Sequence, residues 1–150
     1  MLYELETLIF PKICAACKRA LAGQEYIICL NCSLTLPKTR NWLDPANAVA
    51  RKLWGRVPLQ HTSAYLQFMK RGIVQELMHQ LKYADCPEVG VHLGKLYGQE
   101  LLSIFETHRP DVLVPVPLHP KKQKKRGYNQ SETIARGIAE ATGIPVDTFH

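Results

Sequence analysis

The sequence predicts an α/β protein: a small four-cysteine metal module heading a parallel-sheet domain that these residues leave incomplete. Three observations carry this. Cys14-Ala-Ala-Cys17 and Cys29-Leu-Asn-Cys32 place two CxxC pairs within 19 residues. Asp111-Val-Leu-Val-Pro-Val-Pro117 is a short, non-alternating apolar run of the kind buried in parallel sheets. A capped helical pattern from Asn129 to Gly143 then leads to Ile144-Pro-Val146, which reads as the start of another strand.

Residues 1–37 form the first unit. Leu2, Leu5, Leu8 and Ile9 line one side of a short leading helix that Pro11 breaks. Each CxxC is a knuckle in which a tight turn aims two thiolates at one ion. The stretch from Lys18 to Ile28 is long enough for a hairpin that turns the second knuckle toward the first. Four thiolates, Cys14, Cys17, Cys29 and Cys32, suit tetrahedral Zn²⁺, a borderline-soft cation with no redox chemistry of its own. Iron takes the same donor set. A thioredoxin-type dithiol needs only one CxxC, and a disulfide framework needs an oxidising compartment. The cysteines therefore point to a reduced cytoplasm and a structural metal. Cys86 has no partner at ligand spacing and reads as an ordinary semi-buried thiol.

Residues 38–58 show little periodicity and hold Pro45, Gly55 and Pro58, which suggests a linker with one helical turn. The domain expected over 59–150 begins with a β-prone run, His61 to Phe68. A helix over Lys70 to Tyr83 follows, with Ile73, Leu77 and Leu81 along one face. A second helix runs from Pro87 to about Glu106, with Leu93, Leu96, Tyr97, Leu101 and Phe105 inward. After the Asp111–Pro117 strand comes a basic loop, Lys121-Lys-Gln-Lys-Lys-Arg126. Asn129 caps the last helix, Glu132 completes a capping-box-like pair, Ile134, Ala135, Ile138 and Ala139 form its buried side, and Gly143 stops it.

Composition bounds the function. The chain has 150 residues, 46% hydrophobic and 21% charged, which is globular composition. No apolar run approaches the ~20 residues of a membrane helix. The start, MLYELETLIF, carries Glu4 and Glu6 and no basic stretch, unlike a signal peptide. The net charge of +6 is spread along the chain, but the final segment concentrates its cations in one run. The edge after Val116-Pro117 gathers free backbone amides, Leu118, His119, Lys121, Lys122, Lys124, Lys125, Arg126 and a helix N-terminus at Asn129. Such a place suits phosphate or pyrophosphate, whether in nucleic acid or in a small phosphorylated molecule. No Ser-His-Asp constellation or HExxH helix supports hydrolysis.

Taken in order, several motifs resemble the ComF family of competence-associated, phosphoribosyltransferase-like proteins. These are Phe10-Pro11, the two knuckles, Leu81-Lys82-Tyr83, Val89-Gly90 with Leu93-Gly94, Val114-Pro-Val-Pro-Leu118, and Arg126-Gly-Tyr-Asn-Gln130. The likeness covers the N-terminal two-thirds of such a protein. It implies a type I phosphoribosyltransferase-like fold behind the zinc module. Val114 to His119 would be the pyrophosphate loop, and Lys121 to Asn129 a mobile loop over phosphoribosyl pyrophosphate (PRPP). A cationic lid would stabilise the charge that builds on departing Mg²⁺-bound pyrophosphate. The chain departs from that pattern: it has no adjacent acidic pair and no Thr-Thr-Gly. The PRPP site is therefore expected to be incomplete, with no transferase activity from these residues alone. The resemblance implies a link to DNA uptake, with partners such as a helicase. The alternative is a non-catalytic zinc adaptor that binds a protein partner or single-stranded DNA. A sheet cut short would expose a strand edge and invite oligomerisation.

Overall fold

A computed structural model describes residues 11–148; the leading helix expected over Leu2 to Phe10 lies outside them. Six α-helices occur among these residues: α1 (Leu30–Leu34), α2 (Ala48–Leu53), α3 (Ile73–Tyr83), α4 (Glu88–Phe105), α5 (Pro120–Arg126) and α6 (Gln130–Thr142). None of them is long and apolar enough to cross a membrane.

The expected parallel-sheet domain is absent among the described residues. Among the described residues there is no strand or sheet, only isolated bridges, Ile13 with Ala20, Lys38 with Leu66, and a parallel one joining Leu113 to Val146. The Asp111–Pro117 run is extended, yet it makes a single bridge, flanked by Leu113 N–H to Pro145 O at 2.8 Å and Asp147 N–H to Leu113 O at 2.9 Å. The reason lies in the prolines. Pro115, Pro117 and Pro145 have no N–H to donate, so a ladder cannot extend. Burial fails as well, since Val112, Val114 and Val116 are all exposed. The β-prone His61–Phe68 run likewise contributes only the Leu66 bridge.

The helices follow the apolar spacing more faithfully. α3 buries Val74, Leu77 and Leu81, with Ile73 half-buried. α4 opens just after Pro87 and buries Val89, Leu93 and Leu101. One core joins Leu77, Leu81, Val89 and Leu93 to Cys14, Ile27, Ile28, Cys29, Cys32 and Leu36. The metal module and the first two long helices thus share one apolar interior.

α6 packs along α4 through glycines. A methyl on Gly98 would come 2.8 Å from the Ala141 Cβ, and one on Gly94 would overlap the Ile134 carbonyl. Gly137 answers from the other side, where a methyl would meet Lys95 N at 2.7 Å and overlap the Val91 carbonyl. The face of α6 is accordingly Thr133, Ala135 and Gly137, while Ile134 and Ile138 are half-buried. Small residues permit this backbone-to-backbone approach, as bulky ones cannot.

Residues 38–67 fold back on α4. Thr39 N–H donates to Tyr65 O at 3.0 Å and Gln67 N–H to Pro37 O at 2.8 Å. Tyr65 stacks on Tyr97 of α4 at 4.9 Å, and Trp42 meets the Tyr97 ring edge-on at 5.7 Å. Asn47 is buried and holds this stretch. Its Oδ1 accepts from Val49 and Ala50 N–H at the start of α2, while its Nδ2 donates to the carbonyls of Asn41, Asp44 and Thr62.

Candidate metal centre and cationic cavity

The four cysteines converge. Their sulfurs all lie within 4.8 Å of one another, with Cys17 Sγ and Cys29 Sγ 3.7 Å apart. Tetrahedral Zn–S bonds of about 2.3 Å place sulfurs about 3.8 Å apart, whereas a disulfide needs about 2.05 Å. The geometry suits one ion held by four thiolates.

Local structure explains the convergence. The Ile13–Ala20 bridge closes the first knuckle, with Cys14 N–H donating to Arg19 O at 2.8 Å and Leu21 N–H to Lys12 O at 2.8 Å. Lys18, at φ 63°, takes the left-handed conformation that completes this turn. The N–H groups of Cys17 and Cys29 point at Cys14 Sγ, at 3.5 and 3.3 Å, as donors to a thiolate. Glu25 fixes the second knuckle. Its carboxylate accepts from Leu30 N–H at 2.6 Å and Ala22 N–H at 2.9 Å. The Leu30 contact first, then Ala22, holds its carboxyl below the usual range.

Electrostatics divide the thiols. A hydrogen bond from Arg19 leads the causes that lower Cys17 to about 6, and the same contact raises Arg19. Burial pushes Cys32 upward. A bound dication reverses that penalty by compensating the charge. Four thiolates and a dication sum to a negative cluster, which Arg19 partly offsets. An ion that used all four sulfurs would have no position left for a catalytic water.

The second feature is a cavity of about 800 Å³ between the end of α3 and α5. Lys82 and Tyr83 enter it from α3, Asp85 from the turn that follows, Lys122, Lys124, Lys125 and Arg126 from α5, and Tyr128 from beyond it. The segment expected as a mobile loop is therefore a helix. Pro120 sits in its first turn, the His119 ring accepts from Lys121 N–H at 3.3 Å, Lys, Gln and Arg are good helix formers, and Gly127 ends it at φ 79°. α5 carries five cations and no acid, so like charges one turn apart repel, each pair costing about 0.2–0.5 kcal/mol. A bound anion relieves that repulsion.

Two contacts set this helix against α3. Tyr128 OH donates to Leu81 O at 2.5 Å, using a carbonyl of the last helical turn. Arg126 Cζ lies 5.6 Å from the Tyr83 ring centroid, while its guanidinium donates to Gln130 Oε1 at 3.0 Å.

The residues expected to form one phosphate site thus separate. Lys122, Lys124, Lys125 and Arg126 line the cavity; Lys121 is exposed on α5 and does not. His119 caps α5. Pro117, Leu118 and Asn129 line a smaller recess of about 240 Å³ with Pro115, Gln123, Glu132 and Thr148. Val116 is exposed, and its carbonyl accepts from Asn129 Nδ2 at 3.0 Å. Asn129 also caps α6 through Ser131 N–H at 3.0 Å. In the sequence Leu81-Lys82-Tyr83 stood out only as part of the family resemblance, with no ligand role, and Asp85 carried no signal. The Leu81-Lys82-Tyr83 end of α3 is 38 or more positions from the basic run, so no local pattern joins them.

The chain is 28% identical over 139 residues to a protein named DNA utilization protein YhgH in Salmonella typhimurium, covering 91% of this chain and 57% of that one. The Escherichia coli K12 protein of the same name is 28% identical over 130 residues, covering 85% and 53%. The chain is therefore similar to DNA utilization proteins. It spans little more than half the length of these curated relatives. No protein-family model and no solved structure matches it.

Proposed function

We propose that this chain is the zinc-bearing part of a DNA-utilization protein, and that it holds the phosphates of a single DNA strand along α5. One observation carries the reading. Lys82 from α3 and Lys122, Lys124, Lys125 and Arg126 from α5 surround one open cavity. The names of the relatives point the same way. The metal in this reading is zinc, which holds the module that packs on α3 and so supports the cavity wall. The role in DNA uptake implied by the ComF resemblance, and a helicase as partner, belong to the same proposal.

The test is single-strand DNA binding as a function of salt. Each phosphate contact on a single strand contributes about 0.7 to the slope of log affinity against log salt. Five cations therefore predict a slope of about −3 to −4, and Lys122, Lys124 and Lys125→Ala together should flatten it by about 2. An unchanged slope would refute the assignment.

A second reading gives the same cations a pyrophosphate, as in Mg²⁺-bound PRPP. It draws on the likeness of Val114–Leu118 and Arg126–Gln130 and on the recess beside them. It ranks second because no parallel sheet and no acidic pair accompany those motifs among the described residues. Displacement of the DNA strand by equimolar Mg²⁺-PRPP would favour it.

A further inference from the structure

Tyr83 lies largely outside the packed interior. It closes α3 and is 68% exposed, at the rim of the cationic cavity. Arg126 lies 5.6 Å from its ring centroid, and His79, one turn earlier, lies 5.2 Å away at 46°. Its surroundings are held in place: Tyr128 is bonded to the Leu81 carbonyl, two residues before Tyr83, and Arg126 is bonded to Gln130. An open aromatic face beside a cluster of cations is the pairing that single-stranded nucleic acid uses, with bases on rings and phosphates on Lys and Arg.

The lining is also polarised. Among the described residues Asp85 is the one acid that lines the cavity, and it sits on the α3 side with Tyr83. A phosphate is drawn toward Lys122, Lys124 and Lys125 and away from Asp85. The uncharged base is left for the Tyr83 side. The cavity volume of about 800 Å³ falls in the ~300–1,000 Å³ range of small-ligand sites, which admits a base and its phosphate together.

We infer that Tyr83 is a stacking platform for an unpaired base of the strand whose phosphates lie on α5. This deepens the proposed function and rests on it. Tyr83 then determines preference for unpaired over paired strands, since a base in a duplex has no free face to offer.

The test compares a fluorescein-labelled oligothymidylate 12-mer with an abasic 12-mer of the same phosphate count. Base–aromatic stacking predicts that the wild-type chain binds the base-bearing strand about 10-fold more tightly. Tyr83→Ala should erase that ratio while keeping the salt slope, and Tyr83→Phe should restore it. Circular dichroism controls for folding, which an exposed substitution is expected to leave intact. A ratio that persists in Tyr83→Ala overturns the inference, as does a wild-type ratio of one with a normal salt slope. Displacement by equimolar thymidine monophosphate overturns it in favour of a free-nucleotide site. Failure of both strands to bind at low salt overturns the DNA reading and this inference together.

Discussion

Replacing Gly94 by alanine asks whether α4 and α6 really touch backbone to backbone. On helix propensity alone alanine should stabilise α4 by about 1 kcal/mol. The structure opposes this. The added methyl would overlap the Ile134 carbonyl oxygen and lie 3.0 Å from its carbon and 3.1 Å from the Gly137 Cα. Carbon atoms prefer about 3.5–4.0 Å, so α6 must retreat by about half an ångström or more. The retreat cannot be local, because Gly98 and Gly137 are packed just as closely. Overpacking of this kind costs about 1–3 kcal/mol, and here the obstacle is main chain that has no rotamer to change. We expect net destabilisation of about 1–2 kcal/mol, which for a chain of this size lowers the melting midpoint by about 2–8 °C. Thermal and urea unfolding of the metal-loaded protein measure it, with Ser103→Ala on the exposed side of α4 as control, expected within about 0.5 kcal/mol of wild type. A Gly94→Ala protein that melts higher, as propensity alone dictates, would refute the packing argument.

Metal loss should reach beyond the cysteine module. Cys14→Ser is expected to abolish bound zinc and remove several kcal/mol of stability, about 10 °C, because Cys14 shares its core with Leu77 and Leu81. Elemental analysis and melting curves check this, and one full zinc per chain in the variant would contradict it. His92 supplies a pH prediction. Its Nε2 is buried with no hydrogen-bond partner among the described residues, and burial first, then Lys95, holds its pKa below the ordinary 6.5. Below about 6.5 the unfolded chain binds a proton that the folded one resists, so stability falls as pH drops through that window. The melting advantage of wild type over His92→Gln should shrink between pH 7.5 and 5.5. An advantage independent of pH would show that His92 is not the group responsible.

Periodic apolar spacing made α3, α4 and α6 legible to within three residues, since one buried stripe suffices to define such a helix. Asn129 and Gly143 marked both ends of α6 because capping and left-handed stops are local chemistry. The basic run was misread as a loop. Charge dominates its composition, while Pro120, the His119 cap and Gly127 were the quieter helix signals. The glycines at 90, 94 and 98 stand one turn apart, a readable sign of close helix approach, although nothing local says which helix approaches. Asn47 was overlooked because its three carbonyl acceptors are spread from Asn41 to Thr62.

By itself the sequence determined the four-cysteine cluster, the long helices and the cationic character of residues 121–126, because spacing, capping and charge act over a few neighbouring residues. Only the tertiary structure decided that the valine- and proline-rich run makes one bridge where a sheet was expected, and that α5 faces Tyr83. A strand needs a partner with free donors and acceptors. A binding cavity needs side chains from separate helices at fixed distance. Both depend on contacts between residues remote in sequence, such as Tyr128 with Leu81, on which local propensity has no bearing.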